Sequence, residues 1–146
     1  MAAIKRTSKA VWNGSLRHGE GTVSVDSEVL KDEAYTFATR FEQAAGTNPE
    51  ELIAAAHAGC YSMAIANALT KQGYQVDMIE TSATIHLTSQ EGGGFAITKS
   101  ALQVHGRVPE IDQETFERVA EEADEACPVS NLLRPGLEIE LKATLA

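Results

Sequence analysis

Residues 47–71 read TNPEELIAAAHAGCYSMAIANALTK. Thr47 and Asn48 offer a capping side chain, Pro49 suits the first helical position, and Glu50 and Glu51 complement the positive end of a helix dipole. From Leu52 to Thr70 no formally charged residue occurs, and Ala, Ile, Leu and Met occupy every face. That pattern belongs to a helix buried all round, with Gly73 as its stop. The uncharged run approaches membrane-spanning length, but His57, Ser62, Asn67 and the many small residues weaken its hydropathy and no second span follows, so a buried helix is expected rather than a membrane partner. Counted from Asn48 to Lys71 it is about 34 to 36 Å long at ~1.5 Å per residue, as long as a small domain is wide. One such domain hardly covers all its sides, so a second subunit is expected.

Outward from this helix, the first third reads as strands at Lys5 to Trp12 and Gly21 to Asp26, with a further extended piece near Ala34 to Phe41. After it, Ile79, Thr81, Ala83, Ile85 and Leu87 alternate with polar residues, and Gly92 to Gly94 turn the chain into Phe95 to Val104, making a hairpin. The apolar phase slips between Ile97 and Leu102, which predicts a bulge or bend near Lys99. Asp112 caps a helix whose Phe116, Val119, Ala120 and Ala123 form one stripe, ending near Cys127 and Pro128. Leu137, Ile139, Leu141, Ala143 and Leu145 close the chain as an alternating strand. Strands interrupted by helices without regular βαβ alternation predict an α+β fold with antiparallel β-sheets.

The chain has 146 residues, 43% of them hydrophobic, which predicts one domain over residues 1–146 and excludes a wholly disordered or disulfide-scaffold protein. Its 12 basic and 21 acidic residues give a net charge of −9, which repels phosphate backbones and anionic lipids, so no nucleic-acid or membrane partner is expected. Many of the acids lie between Glu110 and Glu125, as on a solvated helix face. The start, MAAIKRTSKAVWNG, lacks a signal-peptide pattern, so a cytoplasmic, reducing location is expected.

Cys60 and Cys127 are the only cysteines and neither belongs to a CxxC pair, which rules out a four-cysteine zinc site and disfavours a permanent disulfide. Cys60, among small apolar residues, reads on composition alone as an inert hydrophobe. Cys127 precedes Pro128 and a short helical stretch whose amino end would stabilise a thiolate, or else is simply a buried helix terminus. His57 and Cys60, spaced i, i+3, with Cys127 still lack a fourth ligand, so no metal is expected. His57 reads as a packed histidine or a general base. No GxSxG, GxGxxG or Walker pattern occurs. Arg40, closing an apolar extended piece, is an edge-strand surface residue or a guanidinium in need of an anion, which Glu50 could supply through bidentate hydrogen bonds.

The stretch TRFEQAAGTNPEELIAAAHAGCYSMAIANAL, with GEGTV before it, GFAITKSAL after it and ACPVSNLL near the end, resembles the OsmC/Ohr family of bacterial thiol peroxidases over nearly the whole chain. Its TRF arginine resembles the OsmC subgroup. The resemblance implies an intertwined homodimer with two sites at the subunit interface and a long central helix carrying the peroxidatic cysteine, Cys60. It further implies that Cys127 resolves the oxidised Cys60, that Arg40 and Glu50 activate it, and that no cofactor is needed. The implied reaction reduces organic hydroperoxides, and hydrogen peroxide, through a Cys60 sulfenic acid and a Cys60–Cys127 disulfide that a dithiol, such as a dihydrolipoyl protein, reopens. Phe41, Ile53 and Met63 could line an apolar entrance.

Glu50 and Cys60 are ten residues apart on one predicted helix, about 15 Å along its axis. One arginine of roughly 7 Å reach does not bridge both. The active sites are therefore expected to be shared, with Cys60 and Cys127 of one chain meeting Glu50 and Arg40 of the other. Two rival readings use the same residues: a non-catalytic dimeric module binding a lipid or partner in an apolar groove, and a redox sensor whose disulfide alters an interaction.

Overall fold

A computed structural model describes residues 2–146, which divide into two compact units, one reaching to Leu52 and one from Ile53 to Ala146. In the first, β1 (Ser8–Asn13), β2 (Glu20–Val25) and β3 (Glu33–Tyr35) form an antiparallel sheet in the order β1-β2-β3. Gly21 pairs with Trp12 on one side and Tyr35 on the other, and the two rings pack with centroids 5.4 Å apart. A Cβ at Gly21 would come within 2.6 Å of the Tyr35 ring, so only glycine lets the rings close over the strand.

The expected extended piece at Ala34 to Phe41 is strand only as far as Tyr35. Thr36 then forms a reciprocal capping box with Thr39 and starts α1 (Phe37–Phe41). Arg40 therefore sits in the last turn of a short helix and not on an edge strand. The capping pair outweighs the β propensity of Phe37, Thr39 and Phe41.

The long helix α2 spans Pro49–Lys71. Asn48 caps it, its Oδ1 accepting from the Glu51 amide at 2.8 Å. At the far end Gly73 adopts φ 88 and the Tyr74 amide donates back to the Leu69 carbonyl. The helix is long and apolar enough to cross a membrane by length and composition. One stripe of it, His57, Tyr61, Ile65 and Leu69, is completely buried in protein. The expectation of burial on all sides meets a different picture in the single chain, where the opposite stripe of Ala56, Gly59, Met63 and Asn67 is open. Met63 is 77% exposed.

In the second unit β4 (Met78–Ser89) and β5 (Phe95–Arg107) form the expected hairpin. Its register jumps from His86↔Lys99 to Leu87↔Ile97, so Thr98 is the extra residue of a bulge beside Lys99, as the phase slip predicts. The helix α3 (Gln113–Ala126) is capped by Asp112 and leads directly into α4 (Pro128–Leu133), after which β6 (Glu138–Leu145) joins the sheet in the order β4-β5-β6. β6 runs parallel to β5, which corrects the expectation of antiparallel sheets throughout. Residues 108–137, which hold both helices, are long enough for the crossover that a parallel neighbour requires.

The core of this unit gathers Tyr61, Ile65 and Leu69 from α2, Leu102 and Val104 from β5, and Phe116, Val119, Ala120 and Ala123 from α3. The Tyr61 hydroxyl donates to the Ala120 carbonyl at 2.8 Å. Phe116 lies so close over β5 that a Cβ at Gly106 would meet its ring at 2.6 Å. The acids Glu114, Glu117, Glu121, Glu122 and Glu125 line the solvent side of α3.

Candidate active site

Each unit holds one pair of the candidate residues. In the first, Arg40 projects from α1 onto Glu50 in the opening turn of α2. Its Nε lies 3.2 Å from both carboxylate oxygens and its Nη2 donates to Glu50 Oε1 at 2.8 Å. The short helix α1 and the start of the long helix α2, which carry the pair, are tied together, since Asn48 Nδ2 donates to the Thr39 carbonyl at 3.0 Å while its Oδ1 caps α2. Glu50 is buried, whereas about a third of the Arg40 side chain (37%) remains open to solvent. A guanidinium held by a fork of this kind keeps a fixed orientation with outward donors to spare. The Phe41 ring lies 5.1 Å from the Arg40 guanidinium carbon.

In the second unit Cys60 meets Cys127. Both are free thiols, Cys127 fully buried and Cys60 half-buried. Cys127 caps α4 while Pro128 occupies its first turn, so the chain needs no donor from that position. Cys60 packs against the core that includes Cys127, and both the Cys127 thiol and the Val129 amide of α4 act on its sulfur. Burial pushes the Cys60 thiol above its ordinary pKa; the Val129 amide opposes this, and the neighbouring Cys127 adds to the rise.

A cavity of about 430 Å³ opens beside Cys60, lined by Met63, Asn67 and Lys71 of α2 and by Ala126 and Pro128. Met63 thus lines an approach to the sulfur, as anticipated, while Ile53 is not on its wall. In the first unit a separate apolar hollow of about 210 Å³ lies between Val23, Tyr35, Pro49 and Leu52.

His57 is completely buried, with Nδ1 2.7 Å from Ser100 Oγ on β5 and Nε2 2.8 Å from Ser130 Oγ on α4. Burial lowers its pKa, the Asp124 carboxylate raises it and Arg134 lowers it, so the ring is held towards the neutral form. Both ring nitrogens are engaged by hydroxyls, which leaves no lone pair for a metal shared with the cysteines. Sequence reasoning named His57 but missed Ser100, Ser130 and Val129. The signal was present in HAGC at 57–60 and CPVS at 127–130, two i, i+3 pairs of matching step.

The family model described as OsmC-like protein matches residues 42–142, a span that includes Glu50, Cys60 and Cys127 and begins just after Arg40. The chain is 44% identical over 137 residues to peroxiredoxin OsmC of Escherichia coli strain K12, covering 94% of this chain and 95% of that protein. To the organic hydroperoxide resistance protein OhrB of Bacillus subtilis strain 168 it is 28% identical over 123 residues, 84% of this chain and 88% of that protein. The crystal structure of OhrB of Bacillus subtilis superposes with a TM-score of 0.71 at 26% identity, covering 94% and 98% of the two chains. An organic hydroperoxide resistance protein OsmC from Legionella pneumophila superposes with a TM-score of 0.76 at 26% identity over 99% of each. On the family match and the extent of these similarities, the chain belongs to the OsmC-like protein family.

Proposed function

We propose that this protein is a thiol-dependent peroxidase that reduces organic hydroperoxides, and hydrogen peroxide, with a dithiol as reductant. The observation that carries this reading is the buried Cys127 in the core against which Cys60 packs, with Cys60 open to a cavity that Ala126 and Pro128, the neighbours of Cys127, also line. The names of the OsmC and OhrB relatives support it.

Cys60 as thiolate attacks the distal oxygen of the hydroperoxide; the O–O bond breaks, the alkoxide takes a proton and leaves as alcohol, and Cys60 becomes a sulfenic acid. The Cys127 thiol then attacks that sulfur, an S–S bond replaces S–O, and water leaves. A dithiol such as a dihydrolipoyl group reduces the disulfide by exchange. The apolar surroundings of Cys60 oppose its thiolate, so a cation is needed at the sulfur. We assign that role to Arg40, fixed by Glu50, which would also stabilise charge on the separating oxygens. In this reading the two units act as one OsmC-like domain over residues 1–146, and the protein works in a bacterial cytoplasm.

The protein is further proposed to be a homodimer with shared sites, Arg40 and Glu50 of one copy facing Cys60 and Cys127 of the other. The open stripe of Ala56, Gly59, Met63 and Asn67 on α2 supports a second copy, since it leaves apolar surface on an otherwise packed helix. The test is consumption of cumene hydroperoxide and of hydrogen peroxide with dihydrolipoamide or thioredoxin as reductant. Turnover with a Cys60–Cys127 link in peptide maps is expected. Free, unmodified thiols after one equivalent of hydroperoxide would refute the reading.

A further inference from the structure

The buried chain Ser100–His57–Ser130 runs alongside the thiol pair. His57 stands three residues before Cys60 on α2, and Ser130 stands three residues after Cys127 on α4. The 2.8 Å contact from His57 Nε2 to Ser130 thus joins the same two segments that the Cys60–Cys127 contact joins, one helical turn away. On its other side the ring is anchored 2.7 Å from Ser100 on β5, so α4 is referred through α2 to the sheet. All three side chains have no exposed surface. The other side-chain links of this segment, Asn131 to the Glu125 carbonyl and Arg134 to Asp124, go to α3.

A neutral imidazole donates from one nitrogen and accepts at the other, so one serine donates to the ring and the other accepts from it. Such a network is a poor way to gain stability, because apolar side chains of similar shape would pack as well. What it adds is direction, fixing α4 at one distance and rotation relative to α2.

We propose that the Ser100–His57–Ser130 chain is the positioning device of the resolving step: it holds the amino end of α4 on α2 so that Cys127 meets the oxidised Cys60 before a second peroxide does. The inference rests on the peroxidase reading above. The step it serves is condensation of the Cys60 sulfenic acid with the Cys127 thiol, in which S–S replaces S–O and the departing hydroxyl leaves with the thiol proton as water. The competing step is attack of the sulfenate on another hydroperoxide, giving sulfinic acid and alcohol. Misplacement of reacting groups by about 1 Å can cost ~10²-fold in rate, so a modest drift of α4 shifts this partition.

The experiment uses the intact protein mixed rapidly with cumene hydroperoxide, with quenched mass spectrometry following sulfenic acid, disulfide and sulfinic acid. Three variants are compared: Ser130→Ala; His57→Asn, whose amide reaches the Nδ1 position and keeps only the Ser100 side; and His57→Gln, whose amide reaches the Nε2 position and keeps the Ser130 side. Ser130→Ala and His57→Asn are expected to slow condensation by about tenfold or more and to lower by a like factor the peroxide concentration that overoxidises Cys60. His57→Gln is expected to recover most of both. A folded Ser130→Ala with wild-type condensation and overoxidation overturns the proposal, as do equal Asn and Gln variants; should the His57 variants not fold, Ser130→Ala decides alone. Wild-type protein that forms neither sulfenic acid nor disulfide removes the peroxidase reading itself, and the positioning role with it. Slow condensation after normal sulfenic acid formation isolates the positioning device.

Discussion

Arg40 reaches Glu50 across ten residues of chain and the pair is charged, forked and partly open to solvent, whereas Cys60 reaches Cys127 across 67, in apolar surroundings. The first pair is fixed by neighbours in sequence: the Thr36 capping box and the Asn48 side chain set the two helix ends that bear it. The second has no such local frame. Its geometry depends on α2, β5, α3 and α4 all packing around Tyr61 and Phe116. A locally built pair keeps its shape when the distant core loosens, and a pair built from afar does not.

The sharpest way to break the comparison is to remove one thiol at a time. Cys60→Ser is expected to abolish peroxide consumption, measured with dithiol in excess. Cys127→Ser should still form the Cys60 sulfenic acid once and then overoxidise, seen by mass as added oxygens without a disulfide. Equal behaviour of the two variants would mean that the cysteines are not distinct in role.

Next in size is the charged pair. Arg40→Met is expected to raise the Cys60 pKa, read by the pH dependence of alkylation, and to lower the peroxide rate by ~10²-fold, the scale of losing one preorganised donor. Mixing inactive Cys60→Ser and Glu50→Ala chains should restore about half the sites within each mixed dimer, because one of its two sites carries both defects and the other neither. Verified heterodimers without recovered activity would place each active site within one chain.

How much of this was legible in the sequence follows the same division. Caps, turns and alternation are written in adjacent residues, so α2, the Gly92–Gly94 hairpin, the bulge at Thr98 and the start of α4 at Cys127 were readable, as was Glu50 as a partner for Arg40. The α1 helix was not, since Phe-Ala-Thr-Arg-Phe alternates as a strand does and only the Thr36–Thr39 box reverses it. The parallel placement of β6 was hidden because an alternating pattern records which face is buried and not which way the neighbour runs. Ser100 and Ser130 escaped because a buried serine has no distinctive pattern until the histidine between them is located in space.

A core substitution separates the two pairs by stability. Phe116→Ala removes a completely buried ring that packs over Gly106, at an expected cost of about 3 to 5 kcal/mol, measured by urea denaturation. In folded protein it should also slow disulfide formation. A variant that loses the stability yet oxidises at the wild-type rate would show that the thiols do not depend on the α3 packing.

The smallest effect expected is a pH dependence confined to the thiol-bearing unit. His57 has its pKa lowered first by burial; Asp124 opposes this and Arg134 adds to it, so the folded chain takes up the proton less readily than the unfolded chain, whose histidine titrates near 6.5. Between those two values the unfolded state binds more protons, and stability there rises with pH. The His57 contribution is therefore complete above about pH 6.5 and lost as the pH falls through the folded value. His57→Gln cannot titrate, so its stability deficit relative to the parent should narrow on acidification. Denaturant midpoints of the two proteins from pH 8 to pH 5 measure this. Parallel curves would assign the acid limb to carboxylates elsewhere and leave His57 as a hydrogen-bonding link without a share in the pH response.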